Sequence, residues 1–266
     1  MKIRLDRFAD GKKKALTLSY DDGREYDRKL VEILNKAGIR GTFHLNSGLL
    51  GNQGYVERSE VRELYAGHEV STHTATHPYL GLSPKERIAD EILQDRRELE
   101  QLAEYPVKGL SYPHGSWDQR VIALLPSLGI EYARTTGIHG GFDVPKDFLL
   151  WDPTCHHRDM LKYGQLFLEF APRHPTLALL YVWGHSYEFH NNQNWDQLEQ
   201  FCGMVGGQPD IWYATNMEIV LYMKALHELR FSVSGLSVHN PSALSVWFSA
   251  DGDAVQVKPG ETVSLK

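Results

Sequence analysis

The sequence predicts an α/β fold, a (β/α) barrel of about eight strands with a small β appendage at its C-terminus. Short apolar runs alternate with amphipathic stretches through most of the 266 residues, which is typical of parallel strands joined by helices. This alternation is longer than a four- or five-stranded open sheet needs, which favours the barrel. A doubly wound sheet is the alternative. From Phe231 onward the helical pattern ends and short β runs replace it.

Eight apolar runs are predicted as strands because they are short, bounded by turn residues, and rich in β-branched and aromatic side chains. They are residues 15–20, 39–45, 68–72, 107–112, 130–134, 148–151, 177–183 and 211–214.

Helices are predicted between most of these strands. Residues 27–37 place apolar side chains on one side, and Gly38 can take the left-handed conformation that ends a helix. Residues 83–86 read Ser-Pro-Lys-Glu, a capping box with proline at the first helical position, which predicts a helix to about Glu104.

Two further helices are predicted in the second half of the chain. Residues 117–128 have a helical pattern that ends at Gly129. Thr215 and Glu218 have the spacing of a second capping box, which predicts a helix to about Leu229.

The C-terminal part is predicted to be a β-rich appendage. Asp-Gly and Pro-Gly pairs, which favour turns, separate its short β runs. These runs are residues 244–249, 254–257 and 262–265. We therefore expect the barrel to cover residues 1–230 and the appendage, packed on it, to cover residues 231–266.

Composition excludes several classes of protein. A content of 42% hydrophobic and 23% charged residues is typical of a folded chain, and two cysteines cannot form a disulfide framework. A formal charge of -6 argues against a broad nucleic-acid surface. The charged N-terminus lacks the apolar region of a secretory signal, and no stretch approaches the roughly 20 apolar residues that span a bilayer. We expect a cytoplasmic protein that binds neither nucleic acid nor membranes, and the sequence leaves its oligomeric state open.

Two adjacent carboxylates follow the first predicted strand, where residues 20–23 read Tyr-Asp-Asp-Gly. Asp21 and Asp22 repel each other unless they share a cation or a proton. Asp-Gly is also common in turns, so a simple turn is the alternative.

A histidine pair follows the third predicted strand. His73 and His77 are four residues apart and can converge on one metal ion if the segment coils, whereas two surface histidines in a loop are the alternative. Asp22 would complete a set of two histidines and one carboxylate, which suits a hydrolytic metal because positions stay open. The chain has 13 histidines, an excess of a residue that binds metals and titrates near neutral pH.

Three more polar clusters follow predicted strands, and each contains histidine. The fourth, sixth and seventh strands are followed by His114, His156 and His185. A lone histidine such as His185 can also be a packing residue. Because the C-terminal ends of barrel strands meet on one face, we expect these clusters to share a site.

Together these clusters resemble the polysaccharide deacetylase family, the carbohydrate esterases with a NodB-type homology domain. The first family motif is Thr-Phe-Asp-Asp-Gly, and residues 19–23 read Ser-Tyr-Asp-Asp-Gly. The second is His-Ser/Thr-x-x-His, which residues 73–77 match, and the last is an apolar strand ending in histidine, here His185. The run Trp-Gly-His-Ser-Tyr-Glu-Phe at residues 183–189 resembles a bacterial subgroup. The resemblance covers roughly residues 12–230.

The resemblance implies a distorted (β/α) barrel of seven or eight strands and a role for each motif residue. Asp21 is the implied general base, and Asp22, His73 and His77 are the implied ligands of one divalent ion. Zinc is the usual ion in the family, with cobalt, nickel or another divalent ion as alternatives. His185 is the implied acid for the leaving amine. Candidate substrate-binding or orienting residues are Tyr112, Pro113, His114, Asp152, His156, Trp183 and Glu188.

Two positions depart from the family pattern. Ser111 stands where the family has an arginine that holds the base, and His114 stands where it has a tyrosine. The partner of the base therefore stays unassigned. Asp152 is the first candidate for orienting His185, and Asp159 is the second.

The predicted function is metal-dependent removal of N-acetyl groups from an amino sugar, an oligosaccharide or a polysaccharide. The expected partner is thus an N-acetylated carbohydrate. The altered third motif leaves a metal-dependent amidohydrolase acting on a linear or cyclic non-sugar amide as an alternative. A non-catalytic carbohydrate-binding protein is the third possibility.

Overall fold

The centre of the molecule is one curved sheet of parallel strands. The computed structural model describes residues 1–171 and 176–265, and within these ranges the sheet has eight strands. After a short strand β1 (Ile3–Arg4), they are β2 (Lys14–Asp22), β3 (Thr42–Leu45), β4 (Glu69–Thr72), β5 (Gly109–Ser111), β6 (Tyr132–Arg134), β7 (Cys155–His156), β8 (Ala178–His185) and β9 (Ile211–Tyr213). They pair in the order β6-β5-β4-β3-β2-β8-β7, with β9 beside β2. The sheet curls into an incompletely closed barrel, so the predicted α/β barrel class is confirmed.

The gap between β6 and β7 is bridged by the chain that connects them. Trp151 N donates to Ala133 O at 3.0 Å, and Trp151 O accepts from Thr135 N at 3.1 Å. Further along, Cys155 enters β7 and pairs with β8. Residues 151–154 therefore connect β6 with β7 across the gap in the sheet.

The strand predicted at residues 148–151 is wrong. Phe148–Leu150 forms a 3-10 turn, because the Asp147 side chain caps it by accepting a hydrogen bond from Leu149 N at 2.8 Å. The strand in this region is β7, which follows Pro153, a residue that cannot donate to a sheet ladder.

Strand β2 is the longest and contacts three other strands. It pairs with β8 along its length, with β9 at its first part and with β3 at its last part. In this register Asp21 lies level with His44 on β3 and with His185 on β8. The C-terminal end of β2 is therefore flanked by a histidine on each side.

Both faces of β2 are buried, as expected for a parallel strand covered on both sides. Leu16 and Leu18 pack in the apolar core between the sheet and the outer helices. Thr17 and Ser19 are buried as well, and Ser19 Oγ accepts a hydrogen bond from Tyr181 Oη at 3.1 Å. Strand alternation therefore separates an apolar outer layer from a hydrogen-bonded inner one.

Eight α-helices lie in the described ranges. They are α1 (Asp27–Lys36), α2 (Val61–Leu64), α3 (Lys85–Ala103), α4 (Gln119–Leu124), α5 (Met160–Glu169), α6 (Ser186–Asn191), α7 (Trp195–Val205) and α8 (Asn216–His227). The four predicted helices correspond to α1, α3, α4 with its 3-10 extension, and α8. Among the described helices, none combines the length and the apolar character that crossing a membrane requires.

The two predicted capping boxes have different outcomes. Thr215 Oγ1 accepts from Glu218 N at 3.3 Å and Glu218 Oε2 accepts from Thr215 N at 2.9 Å, so α8 begins as predicted. Ser83 Oγ instead donates to Tyr79 O at 2.9 Å, and Pro84 precedes α3 without a side-chain cap. The box at Ser83 is wrong because the preceding turn uses its hydroxyl.

The chain after α8 forms short antiparallel strands. They are β10 (Arg230–Phe231), β11 (Ser237–His239), β12 (Val246–Ala250), β13 (Asp253–Val257) and β14 (Thr262–Ser264). One sheet has the order β1-β12-β13 and the other the order β10-β11-β14. Phe248 is buried in the same apolar cluster as Leu226 of α8. The N-terminal strand β1 thus shares a sheet with C-terminal residues.

Candidate active site

The C-terminal ends of β2 and β4 bring two histidines and a carboxylate together. Asp22 ends β2, and the loop after β4 carries His73 and His77. Asp22 Oδ1 lies 3.6 Å from His73 Nε2 and 3.7 Å from His77 Nε2. The three donor atoms lie within 4.8 Å of one another. We call Asp22, His73 and His77 the carboxylate–histidine triad.

Backbone strain is concentrated around this triad. Asp22, Thr74, His77 and His114 all have positive φ, between 57° and 81°. Non-glycine residues adopt this region at a cost and persist there only when their surroundings fix them. Asn46 provides such fixation, because its Nδ2 donates to the carbonyl oxygens of His73 and Thr74 at 2.7 and 2.8 Å.

Helix α3 supports the histidine loop through two carboxylates one turn apart. Asp95 accepts from His73 N at 3.2 Å and from Ser47 N at 2.7 Å. Glu91 accepts from Thr76 N at 2.8 Å and from Thr76 Oγ1 at 2.6 Å. Because helix positions i and i+4 share one face, a single helix forms hydrogen bonds with the loop at two points.

The chemistry of the triad fits a divalent metal ion. His73 Nδ1 lies 2.8 Å from Ser111 O, a hydrogen bond that places its proton on Nδ1 and leaves the Nε2 lone pair facing Asp22. Burial lowers the pKa of both His73 and His77, which favours the neutral imidazoles that metals require. Ligands about 2.1 Å from a tetrahedral ion are about 3.4 Å apart, close to the separations seen here. Asp22, His73 and His77 are therefore the residues that would hold such an ion.

Asp21 lies beside the triad and is almost completely buried, with 2% of its surface exposed. Arg134 Nη2 forms a buried ion pair with its Oδ2. Ser111 Oγ donates to Oδ1 at 3.2 Å, and His44 Nδ1 lies 3.4 Å from the same oxygen. Burial alone would raise the pKa of Asp21, but Arg134 and the imidazoles of His73 and His44 hold it well below its usual range. Asp21 is therefore a carboxylate at neutral pH.

Arg134 answers a question that the sequence left open, namely which group holds Asp21. In the β5–β6 ladder Ser111 and Arg134 are direct partners. The guanidinium missing at position 111 is thus supplied by the neighbouring strand at the same level. Its Nη1 donates to Thr135 O at 3.1 Å, and its Cζ stacks 4.3 Å from the ring centre of Trp183. The signal in the sequence was a charged residue ending the predicted strand 130–134.

His185 lies level with Asp21 at the end of β8, and α6 begins at the next residue. This helix places Glu188 three residues later, with Oε1 2.6 Å from His185 Nδ1. Burial would lower the pKa of His185, but Glu188 and the nearby aspartates raise it. Glu188, rather than the expected Asp152, contacts His185. Asp152 instead accepts a hydrogen bond from Thr135 Oγ1.

A second histidine cluster surrounds Glu188. His156 Nε2 lies 3.3 Å from Oε1, and His157 Nε2 lies 3.3 Å from Oε2. Both imidazoles are buried. With His185, three imidazoles surround the carboxylate and hold the pKa of Glu188 below its usual range despite burial.

The remaining predicted residues separate into buried and exposed ones. Tyr112 is 1% exposed and donates to Leu149 O at 2.8 Å, and Pro113 is buried, so both contribute to packing. His114 is exposed beside the triad, with its ring centre 4.3 Å from that of His77. Tyr79 stacks in parallel on His114 at 3.8 Å and was missed because its predicted context was a loop.

The fold and site together define a class of protein. An ionised carboxylate, a carboxylate–histidine triad and the imidazole of His185 lie at the C-terminal end of a (β/α) barrel. That end of the barrel is where active sites of such folds lie. A set of two histidines and one carboxylate is typical of hydrolytic metal centres.

Comparison with known proteins supports the resemblance to this family. Residues 9–133 match the family model of polysaccharide deacetylases, so the resemblance predicted from the sequence is confirmed. A chitooligosaccharide deacetylase from Bradyrhizobium sp. (strain ANU 289) is 27% identical over 138 residues. That alignment covers 51% of this chain and 59% of the relative, so the chain spans less than two thirds of the relative's length.

Solved structures show the same fold. A protein from Mycobacterium smegmatis that is assigned to the polysaccharide deacetylases superposes with a TM-score of 0.63 at 16% identity, over 83% of this chain and 93% of that one. A CE4 family pseudoenzyme from Bacillus anthracis superposes with a TM-score of 0.52 at 17% identity, over 78% of this chain and 66% of that one. Because a pseudoenzyme shares the fold, the site residues must carry any argument about activity.

Proposed function

We propose that this protein is a metal-dependent hydrolase that removes N-acetyl groups from an amino sugar, an oligosaccharide or a polysaccharide. The observation that carries the proposal is the position of Asp21, an ionised carboxylate held by Arg134 directly beside the triad. The family match and the relative named as a chitooligosaccharide deacetylase support the choice of an N-acetylated carbohydrate.

Asp22, His73 and His77 would hold the divalent ion, and zinc suits two imidazoles and a carboxylate, with cobalt, nickel or another divalent ion as alternatives. Such an ion supplies polarisation of the acetyl carbonyl and a lowered pKa for an attacking water. The protein contributes a ligand set whose loop is fixed by hydrogen bonds to Ser111 O and from Asn46.

Asp21 is proposed as the general base. An ionised carboxylate can only accept hydrogen bonds, and Arg134 and Ser111 Oγ fix its orientation. Proton abstraction from the attacking water is the step that such a group can assist, typically by about 10²–10⁴-fold.

His185 is proposed as the acid that protonates the leaving amine. An amine is a poor leaving group unless it receives a proton, and His185 lies level with Asp21 on the neighbouring strand β8. Glu188 raises the pKa of His185, which keeps a larger fraction of the imidazole protonated near neutral pH.

The proposal is tested by metal content and acetate release. The chain purified without chelator should carry one equivalent of divalent metal and release acetate from N-acetylglucosamine oligomers. Asp21→Asn should lower kcat by about 10²–10⁴-fold and leave the metal content unchanged, because Asp21 is outside the triad. Asp196→Asn, an exposed carboxylate on α7, is the matched control and should behave as wild type.

The two alternatives predict different results. Ring opening of cyclic amides without acetate release would favour an amidohydrolase for non-sugar amides, which the altered third motif at Ser111 and His114 suggests. Sugar binding without stoichiometric metal or turnover would favour a non-catalytic carbohydrate-binding protein, as the pseudoenzyme neighbour illustrates.

A further inference from the structure

We propose that His156 and His157 are positioning residues that fix Glu188, and through it His185, and that their cluster is not a second metal site. This inference rests on the proposed function, in which His185 is the acid. Glu188 is the centre of the arrangement: Oε1 contacts His185 Nδ1 at 2.6 Å and His156 Nε2 at 3.3 Å, whereas Oε2 contacts His157 Nε2 at 3.3 Å. Both oxygens of the carboxylate are therefore engaged.

The tautomer of His156 decides between a metal ligand and a hydrogen-bond donor. Two N–H groups of Arg158 point at His156 Nδ1, the backbone N at 3.3 Å and Nε at 3.2 Å. An N–H group cannot accept a hydrogen bond, so Nδ1 must carry the lone pair and Nε2 must carry the proton. A protonated nitrogen does not bind a metal, so His156 donates to Glu188.

His157 reaches the same carboxylate from a tightly packed position. Its ring lies against the backbone of Gly184, where a Cβ would be 2.2 Å from His157 Nδ1. Within the described residues, Nδ1 of His157 is buried without a hydrogen-bond partner. A buried N–H without a partner is rarer than an under-used acceptor, which places the proton on Nε2 facing Glu188. A side chain at position 184 would collide with the ring of His157, so glycine is required there for the contact between His157 and Glu188.

The hydrogen bonds from His156 and His157 restrict the orientation of the Glu188 side chain. The carboxylate lies on α6, a helix of six residues, and is partly exposed, so it could otherwise turn toward solvent. Hydrogen bonds to both oxygens fix the orientation of the carboxylate plane. The Nδ1 proton of His185 then has a fixed acceptor, and Nε2 is the nitrogen that would protonate the leaving amine in the proposed reaction. His156 and His157 act through Glu188 and touch no reacting atom.

Two substrates with different leaving groups distinguish this positioning role from a general loss of structure. An amide needs a proton on its leaving amine, whereas the phenolate leaving group of para-nitrophenyl acetate leaves without one. His157→Phe and Glu188→Gln should therefore lower kcat for N-acetylglucosamine oligomers by about 10- to 100-fold, with KM unchanged, and leave kcat for the ester unchanged. His190→Gln, on the same helix with its ring stacked on Tyr26, is the control and should change neither.

Two measurements do not depend on turnover. Imidazole ¹H–¹⁵N correlation spectra should show His156 protonated at Nε2 and not at Nδ1. The wild-type chain and the His157→Phe variant should both carry one equivalent of metal after equilibration with excess Zn²⁺.

Three results would overturn the proposal. They are equal losses of amide and ester hydrolysis in the variants, a His156 ring protonated at Nδ1, and a second equivalent of zinc that His157→Phe removes. A wild-type chain that shows the expected His156 tautomer but cleaves no N-acetylated sugar would instead refute the proposed function, and with it the role of His185 as acid.

Discussion

Asp21 shows how single residues set the chemistry of this site. Its carboxylate is buried, which disfavours the charge, yet Arg134, His73 and His44 surround it with groups that favour the charge. The acid–acid repulsion predicted for Asp21-Asp22 is thus relieved on the Asp21 side by a guanidinium. Asp22 instead contacts His73 and His77, and burial raises its pKa.

Exchanging two ladder partners tests the role of Arg134. Arg134→Ser should lower kcat by about 10- to 100-fold, because Asp21 loses the group that orients it and keeps it ionised. The double variant Ser111→Arg/Arg134→Ser should recover part of the loss, since positions 111 and 134 lie side by side in the β5–β6 ladder. Steady-state kinetics with an acetylated oligosaccharide measures both effects, and a single variant with wild-type kcat would remove Arg134 from the site.

At the level of elements, short hydrogen-bonded links hold the strand ends in place. Asp27 at the start of α1 accepts from Tyr65 Oη at 2.7 Å and from Ser186 Oγ at the start of α6. It thereby connects α1 and α2 to the helix that carries Glu188. Burial raises the pKa of Asp27 to about 7, and the charges of Asp22 and Asp21 add to the shift.

This raised pKa predicts a pH-dependent stability. The folded-state pKa of Asp27 lies above that of an unfolded aspartate, so the native state binds the proton more tightly, and this contribution falls as pH rises from about 4 to about 7. Asp27→Asn should remove it and flatten the slope by up to about 1.4 kcal/mol per pH unit. Urea unfolding across this range measures the slope. Asp196→Asn, an exposed carboxylate, should leave the slope as it is, and a wild-type slope in the Asp27→Asn variant would contradict the assignment.

At the level of the whole molecule, the two ends of the chain meet. Strand β1 pairs with β12, and Phe248 on β12 is buried against Phe231 with ring centres 5.4 Å apart. The same apolar cluster includes side chains of α8, which packs on the barrel. Folding of the C-terminal strands is therefore coupled to the barrel through one shared apolar cluster.

Removing Phe248 tests this coupling. Phe248→Ala should lower the free energy of unfolding by about 3–5 kcal/mol, the usual cost of deleting a buried aromatic ring. Val233→Ala is the matched control, because Val233 is fully exposed and should leave the urea midpoint unchanged. Two separate transitions in wild type, with only one shifted by Phe248→Ala, would show that the C-terminal strands unfold independently of the barrel.

The sequence by itself determined the features that depend on neighbouring residues. The alternation of apolar runs predicted the barrel, and the spacing of His73 and His77 predicted their convergence. The two histidines converge in a loop with positive φ at Thr74 and His77 rather than in a helical turn, and Asn46 fixes that loop. The prediction of a strand at 148–151 was wrong because the local cap at Asp147 outweighed the apolar pattern.

Only the tertiary structure decided which residues hold Asp21 and His185. Arg134 reaches Asp21 because strand order and curvature bring β6 and β2 to opposite sides of one small interior, and no local pattern encodes that order. Glu188, and not Asp152, contacts His185 because α6 begins at the residue after His185. The helix places the carboxylate three residues later beside the imidazole. Contacts within a few residues follow from the backbone period, whereas contacts across the barrel follow from packing of the whole chain.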